Sequence, residues 1–495
     1  MNQRIKIKVI SQNKTGKNRL LEKILEFGIP GLLIFSPLPA ASTPEWSVLV
    51  IQVWVLVLAA VYILMDRKPA LPPQLDKLTK RLKIFFAGFF AVLIFQIIPL
   101  PVFFIKIFSP QTLAFREQFS TGTDNAVFMT LSLSPLHTFR EGMEILAYVI
   151  LGFLVLKTVN SGRRMRRLIY ILAGMGVFQA FYGMFELYRD NPRILFYEKE
   201  INLDVVTGTF VSQNHLTGYL EMIIPLTIGL ILARMDVFAL AGKKFKDSLI
   251  HISSRGMAAN GILSASVVVM SAGVIMARSR SGAFSLVLIF ILFAGLSSLM
   301  FRRTRLEGSW VKWAVWILFV LVVVFAMYAG IERTMQRFSM ENLAQEQRPQ
   351  FWSNTVDMVL DFPLFGTGLG TFAYVYPAYE DFGIYGLLQH AHNDYLEYFS
   401  ELGLFGMIFL LGGILYMVFF GAAEWKKRRN SFVKGTGLGA LISLVVIGVH
   451  SVTDFNLHIP ANMIVFTVVL TLLPAAAVYR KSQRAGQRKS GSGNE

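Results

Sequence analysis

The sequence predicts an all-α protein that crosses a membrane about twelve times and carries one large outer loop between its ninth and tenth spans. Three observations lead there. Hydrophobic residues fill 54% of the 495 positions and charged residues only 16%, whereas soluble chains carry about 25% charged residues. Mean hydropathy is +0.52. Finally, the basic residues gather in alternate loops, as the cytoplasmic loops of a polytopic protein do.

A helix needs roughly 20 apolar residues to cross a bilayer, and segments of that kind fall at 24–41, 46–65, 84–106, 142–158, 168–188, 216–234, 261–277, 282–300, 311–330, 395–420, 436–454 and 459–479. The first follows a long basic stretch, so an uncleaved helix fits better than a signal peptide. Loops on one side of these segments, both termini included, hold 37 of the 48 lysines and arginines. Both termini are therefore expected in the cytoplasm and the long loop outside. The net charge of +17 is spread over seven loops, which removes the main argument for nucleic-acid binding. Without cysteine, disulfides and thiolate metal sites are excluded. The expected organisation is a basic cytoplasmic N-terminus at 1–27, a membrane domain at 28–479 with an outer cap at 331–394, and a disordered tail at 480–495.

The chemistry is expected around that cap. The stretch 348–403 is polar, aromatic and rich in glycine, and a long insert of that composition is a functional element more often than a disordered one. Arg348 precedes Pro349 and lies four residues before Trp352, at the start of an amphipathic helix. Arg278 and Arg280 stand in ARSRSGA between two apolar helices, on the side where positive charge is disfavoured. They read either as arginines reaching for the interface or as a phosphate clamp, because a guanidinium meets two phosphate oxygens at once.

In PLFGTGLGTF the glycines at 366, 368 and 370 lack the strand, helix and lysine of a nucleotide loop; a tight turn bringing backbone against backbone explains them better. QHAHNDYLEYFSE follows at 389–401. Read as a helix, it puts Asn393, Glu397 and Glu401 on one stripe, with His392 one position round. A neutral His392 can take a proton from an attacking hydroxyl. His390 and His392 do not have zincin spacing, and no third histidine stands nearby in sequence, so no metal is expected. In HSVTDFNLHIP, His450 and Asp454 are spaced i, i+4 for a mutual hydrogen bond on one helix. Gln213, Asn214 and His215 either line a polar acceptor groove or cap the helix that carries Glu221.

The order SRSGA, RPQFW, DFPLFGTGLGTF, HNDYLEYFSELGLFG, with QNHLTGYLEMIIPL before it, resembles the O-antigen ligase and O-antigen polymerase family of bacterial envelope glycosyltransferases over roughly residues 200–475. The resemblance implies an inner-membrane enzyme of lipopolysaccharide biosynthesis. It would move a glycan from undecaprenyl pyrophosphate to a sugar hydroxyl on the periplasmic face, without cofactor or metal. The acceptor is lipid A core for a ligase, or a second lipid-linked glycan for an O-antigen or exopolysaccharide polymerase. The family's functional residues carry over onto Arg280, Arg348 and His392. The commoner family pattern has glycine directly after the first arginine; here Ser281 intervenes, which leaves Arg278 as a substitute. A polytopic transporter or flippase also suits twelve helices, but it predicts internal repeats that the sequence lacks. A non-catalytic assembly protein gives no reason for two arginines and a histidine to accompany an aromatic loop.

Overall fold

The computed structural model describes residues 2–65, 71–119, 127–235, 257–301, 320, 347–380 and 387–479. Among these the only strands are two short ladders, which pair 100–101 with 128–129 and 193–194 with 197–198. The rest of the regular structure is helical, and the all-α expectation holds.

The helices that build the bundle are α1 (Asn2–Phe35), α2 (Glu45–Ile63) and α3 (Pro73–Ile97). Two short helices follow, α4 (Val102–Phe108) and α5 (Pro110–Phe119), then α6 (Pro135–Thr158), α7 (Gly162–Leu187), α8 (Gln213–Arg234), α9 (Met257–Met276) and α10 (Arg280–Phe301). The last four are α11 (Arg348–Asp361), α12 (Asp394–Lys426), α13 (Ser431–His450) and α14 (Pro460–Val478). Eleven of the twelve expected spans fall on these helices. Of the other, 311–330, only residue 320 is described, and 331–346 and 381–386 of the expected cap and the tail 480–495 lie outside the described residues.

The chain is a multi-pass membrane protein, but the expected count of twelve is corrected among the described residues. Seven helices are long and apolar enough to cross a membrane: α2, α7, α8, α9, α12, α13 and α14. Charge explains two of the differences. α3 opens on Asp76, Lys77, Lys80, Arg81 and Lys83, and α6 carries Arg140, Glu141 and Glu144.

Two spans form the axis of the bundle. In their most apolar 18-residue stretches 94% of the residues of α8 and of α14 are buried, against 22% for α2 and 28% for α12; helices apolar on every side belong in the middle. α8 packs antiparallel to α13 through small residues. A methyl on Gly435 would collide with the Gly229 carbonyl, and one on Gly439 would lie 2.5 Å from the Pro225 carbonyl oxygen. Higher up, Ser443 Oγ donates to the Met222 carbonyl at 2.6 Å. Backbone-to-backbone approach of this kind is how helices associate without a hydrophobic driving force between them. It also brings the start of α8 beside the end of α13.

α12 is broken at Gly403, which has φ +58. The loop 363–368 fills the break: Thr367 N and Gly368 N donate to the carbonyls of Ser400 and Glu401 at 2.9 and 3.0 Å, while Leu404 N and Phe405 N donate to those of Pro363 and Leu364 at 2.8 and 3.1 Å. Gly366 and Gly403 face each other so closely that either Cβ would strike the opposing backbone. The glycine-rich loop is therefore a backbone splint for a kinked helix. It fixes the direction in which the first two turns of α12 leave the bundle.

Candidate active site

Asp454 is the centre of a polar cluster at the end of the bundle where α8 begins and α13 ends. α13 stops at His450, and the turn 451–454 carries Asp454 off the helix until its side chain is 1% exposed. Its carboxylate accepts from Asn214 Nδ2 at 2.5 Å, His392 Nδ1 at 3.2 Å and the Phe455 N–H at 2.9 Å. Arg348 Nη2 stands 3.6 Å away and His215 Nε2 3.8 Å. Burial alone would raise this carboxyl, but the two histidines and the Arg348 charge hold it well below the usual carboxylate range. It is a fixed anion surrounded by donors.

α11 supplies the next layer. Arg348 is its first residue, and Nη1 donates to the Thr453 carbonyl at 2.8 Å. One turn on, Trp352 Nε1 lies 3.1 Å from the Ala391 carbonyl oxygen and 3.3 Å from that of His392. That contact helps to hold His392 at φ +50, a conformation a non-glycine residue adopts only when its surroundings impose it. The imidazole packs edge-on against Phe455, ring centres 4.9 Å apart.

Arg280 opens α10, and the helix start is seated on the same turn: Ser281 Oγ and Thr453 Oγ1 are 2.8 Å apart. Gly282 fits against Thr217 of α8, where a Cβ would crowd that side chain. Arg348, His392 and the first turn of α10 thus converge on Thr453 and Asp454. Arg278 goes elsewhere. It too has a left-handed backbone, φ +53, and its guanidinium pairs with Asp204 at 2.8 Å.

Three readings from the sequence change. His450 does not bond Asp454; its Nδ1 lies 2.9 Å from a Glu221 carboxylate oxygen inside the bundle, because the helix ends before Asp454 can complete the turn. Residues 389–393 are not helical. Asn393 is the N-cap of α12 and accepts from the N–H groups of Tyr395 and Leu396 at 3.1 and 3.2 Å, so the stripe survives only at Glu397 and Glu401. At α8 the cap is Ser212, whose Oγ accepts from Asn214 N; the Asn214 side chain is left for Asp454, and Gln213 is buried beside it in sequence.

Across Phe455 lies a second cluster that the sequence did not disclose. His390 stacks on Phe455 at 4.1 Å, and its Nδ1 is 2.7 Å from Glu397 Oε1. The other Glu397 oxygen accepts from Ala391 N at 2.8 Å. His458 Nδ1 bonds Asp394 at 2.7 Å, and its Nε2 stands 3.4 Å from Glu397. Burial opposes a charge on His458, yet Glu397 and Asp394 push its pKa up to about 10. The sequence argued against a metal for want of a third histidine nearby; folding supplies one. Ligand atoms of His390, Glu397 and His458 lie within 4.8 Å of one another, so these residues can hold a cation.

Residues 265–411, which span α9 to the middle of α12, match a family described as O-antigen ligase. No curated protein matches the chain. The matched segment contains Arg278, Arg280, Arg348, Trp352 and His392, while Asn214 and Asp454 are brought to it from outside.

Proposed function

Because the chain belongs to the O-antigen ligase family, we propose that it transfers a glycan from undecaprenyl pyrophosphate to a sugar hydroxyl at the periplasmic face of the bacterial inner membrane. The favoured acceptor is lipid A core. The observation that carries the reading is the convergence of Arg348, His392 and the start of α10 on the turn at Thr453 and Asp454.

The chemistry follows from that placement. Asp454 accepts from His392 Nδ1, which selects the tautomer whose Nε2 is an open base. The acceptor hydroxyl gives its proton to Nε2 as its oxygen attacks the anomeric carbon. The bond from that carbon to the pyrophosphate oxygen breaks on the opposite face, so the configuration inverts. Charge grows on the departing pyrophosphate, where the guanidiniums of Arg348 and Arg280 stabilise it. In this reading Arg278 stays with Asp204, and no metal is required because the arginines supply the positive charge. Trp352, Asn393 and Glu397 hold the histidine loop in place. Gln213 and Asn214 border the acceptor side, and His450 joins α8 to α13. The reading also places both termini in the cytoplasm and the cap in the periplasm.

A polymerase uses the same donor and the same residues, and differs only in the acceptor. The test is to give purified protein a lipid-linked glycan together with lipid A core or with a second lipid-linked glycan. Extension of the lipid A core supports the ligase, and extension of the second glycan assigns a polymerase. Extension of neither, by protein that binds the donor, overturns the proposal.

A further inference from the structure

His390, Glu397 and His458 reach one point from three places: the loop before α12, the first turn of that helix and the turn before α14. Their spacing suits a metal ion. A tetrahedral zinc about 2.0–2.1 Å from each ligand needs the ligand atoms about 3.4 Å apart. His458 Nε2 and Glu397 Oε1 already stand 3.4 Å apart, and His390 Nδ1, 2.7 Å from the same oxygen, has only to draw back.

The surroundings are those of a ligand set. His458 Nδ1 donates to Asp394 at 2.7 Å, which leaves Nε2 as the nitrogen that meets Glu397. A carboxylate placed behind a histidine in this way orients a metal ligand and raises its basicity. Nε2 is buried and makes no hydrogen bond among the described residues, so an ion would give this atom the partner it lacks. The second oxygen of Glu397 accepts from Ala391 N at 2.8 Å, and Phe455 stacks on the His390 ring at 4.1 Å. All three side chains are thus held in place by the fold.

We infer that His390, Glu397 and His458 form a zinc site, with water in the fourth position, that fastens the loop carrying His392 to the turn carrying Asp454. His390 lies two residues before His392, and His458 four after Asp454, so one ion would tie together both strands of chain that build the candidate active site. Two imidazole nitrogens and one carboxylate select zinc over magnesium or calcium, which take oxygen ligands. The His390 side chain is 29% exposed, which gives the ion a way in from solvent. Phe455 touches both His390 and His392 and lies between them, so the ion holds the fold together and takes no part in the proposed transfer. The site should bind zinc whatever the protein transfers.

The experiment uses full-length protein without a histidine tag, in detergent, stripped by a chelator and titrated with zinc chloride. Metal content after desalting and the melting temperature are both read. The expected result is a single zinc per chain and a melting temperature a few degrees higher with zinc, with no rise in magnesium. Asp394→Asn, which alters only the group behind His458, should weaken zinc binding about 10- to 100-fold, and His390→Ala and Glu397→Gln should weaken it further than that. His392→Ala and His215→Ala should bind zinc like the wild type. Cobalt(II) in place of zinc should give the visible absorption of a tetrahedral site in the wild type and not in His390→Ala, a readout of geometry that a general loss of stability would not mimic. Folded wild-type protein that keeps no zinc would overturn the site. So would an adventitious ion only, bound as tightly by His390→Ala as by the wild type.

Discussion

Two histidine–carboxylate clusters sit on either side of Phe455, built from the same residue types and differing in charge balance. Around Asp454 one carboxylate faces Asn214, His215, His392 and Arg348, with Arg280 at the head of the neighbouring helix. Around His458 two carboxylates, Asp394 and Glu397, clasp two imidazoles. The first arrangement gathers its donors round one buried carboxylate. The second ties the start of α12 to the turn before α14. In the proposed mechanism the surroundings of each imidazole, rather than its residue type, separate His392 from His458.

Substitutions sharpen that contrast. His392→Ala should lower transfer by about 100- to 10,000-fold, the range of general-base catalysis, with folded protein recovered in normal yield. Asp454→Asn leaves a neutral partner that does not favour the required tautomer, and kcat should drop about 100-fold. Arg348→Lys keeps the charge but loses the planar fork, so we expect about a tenfold fall in kcat/KM for the lipid-linked donor, which steady-state kinetics over donor concentration would show. On the other side of Phe455 the effects should move from rate to stability. His458→Gln should destabilise the fold by about 2 kcal/mol, seen as a lower melting temperature in detergent, while per-molecule transfer is kept. A catalytic loss in that variant without loss of stability would erase the distinction.

Stability should depend on pH at the same place. The folded pKa of His458 is raised to about 10 from an unfolded value near about 6.5. Its contribution is therefore fully present below about pH 6.5 and is lost as the pH rises toward 10. Asp454 works in the opposite sense: its folded pKa is depressed, so its contribution holds above about pH 4 and disappears in stronger acid. Thermal melts from pH 6 to 10 should decline in the wild type and flatten in His458→Gln.

Much of this was legible in the sequence, and what was not has a physical reason. Hydropathy is a local property, so eleven expected spans coincide with helices. Charges near helix ends were harder to weigh, and α3 and α6 show how an apolar core with a polar start misses a strict span criterion. Arg348, Trp352 and His392 were singled out from spacing and residue type, and the structure brings them together. The partners were invisible. Asn214 lies 240 positions from Asp454, and nothing near His392 announces a left-handed backbone. The pairing of His450 with Asp454 was wrong because the spacing rule holds only while the helix continues, and it ends at His450. His458 was passed over for a related reason: its partners, Asp394 and Glu397, reach it only through the fold.

The central claim is that Arg348 and His392 divide the work on one lipid-linked pyrophosphate, the first holding it and the second activating its attacker. Binding of undecaprenyl pyrophosphate and turnover of the glycan-bearing donor, measured together on His392→Ala and Arg348→Ala, test it most directly. The account predicts that His392→Ala binds like the wild type and does not transfer, whereas Arg348→Ala loses affinity. Wild-type turnover by His392→Ala, or undiminished binding by Arg348→Ala, would contradict it.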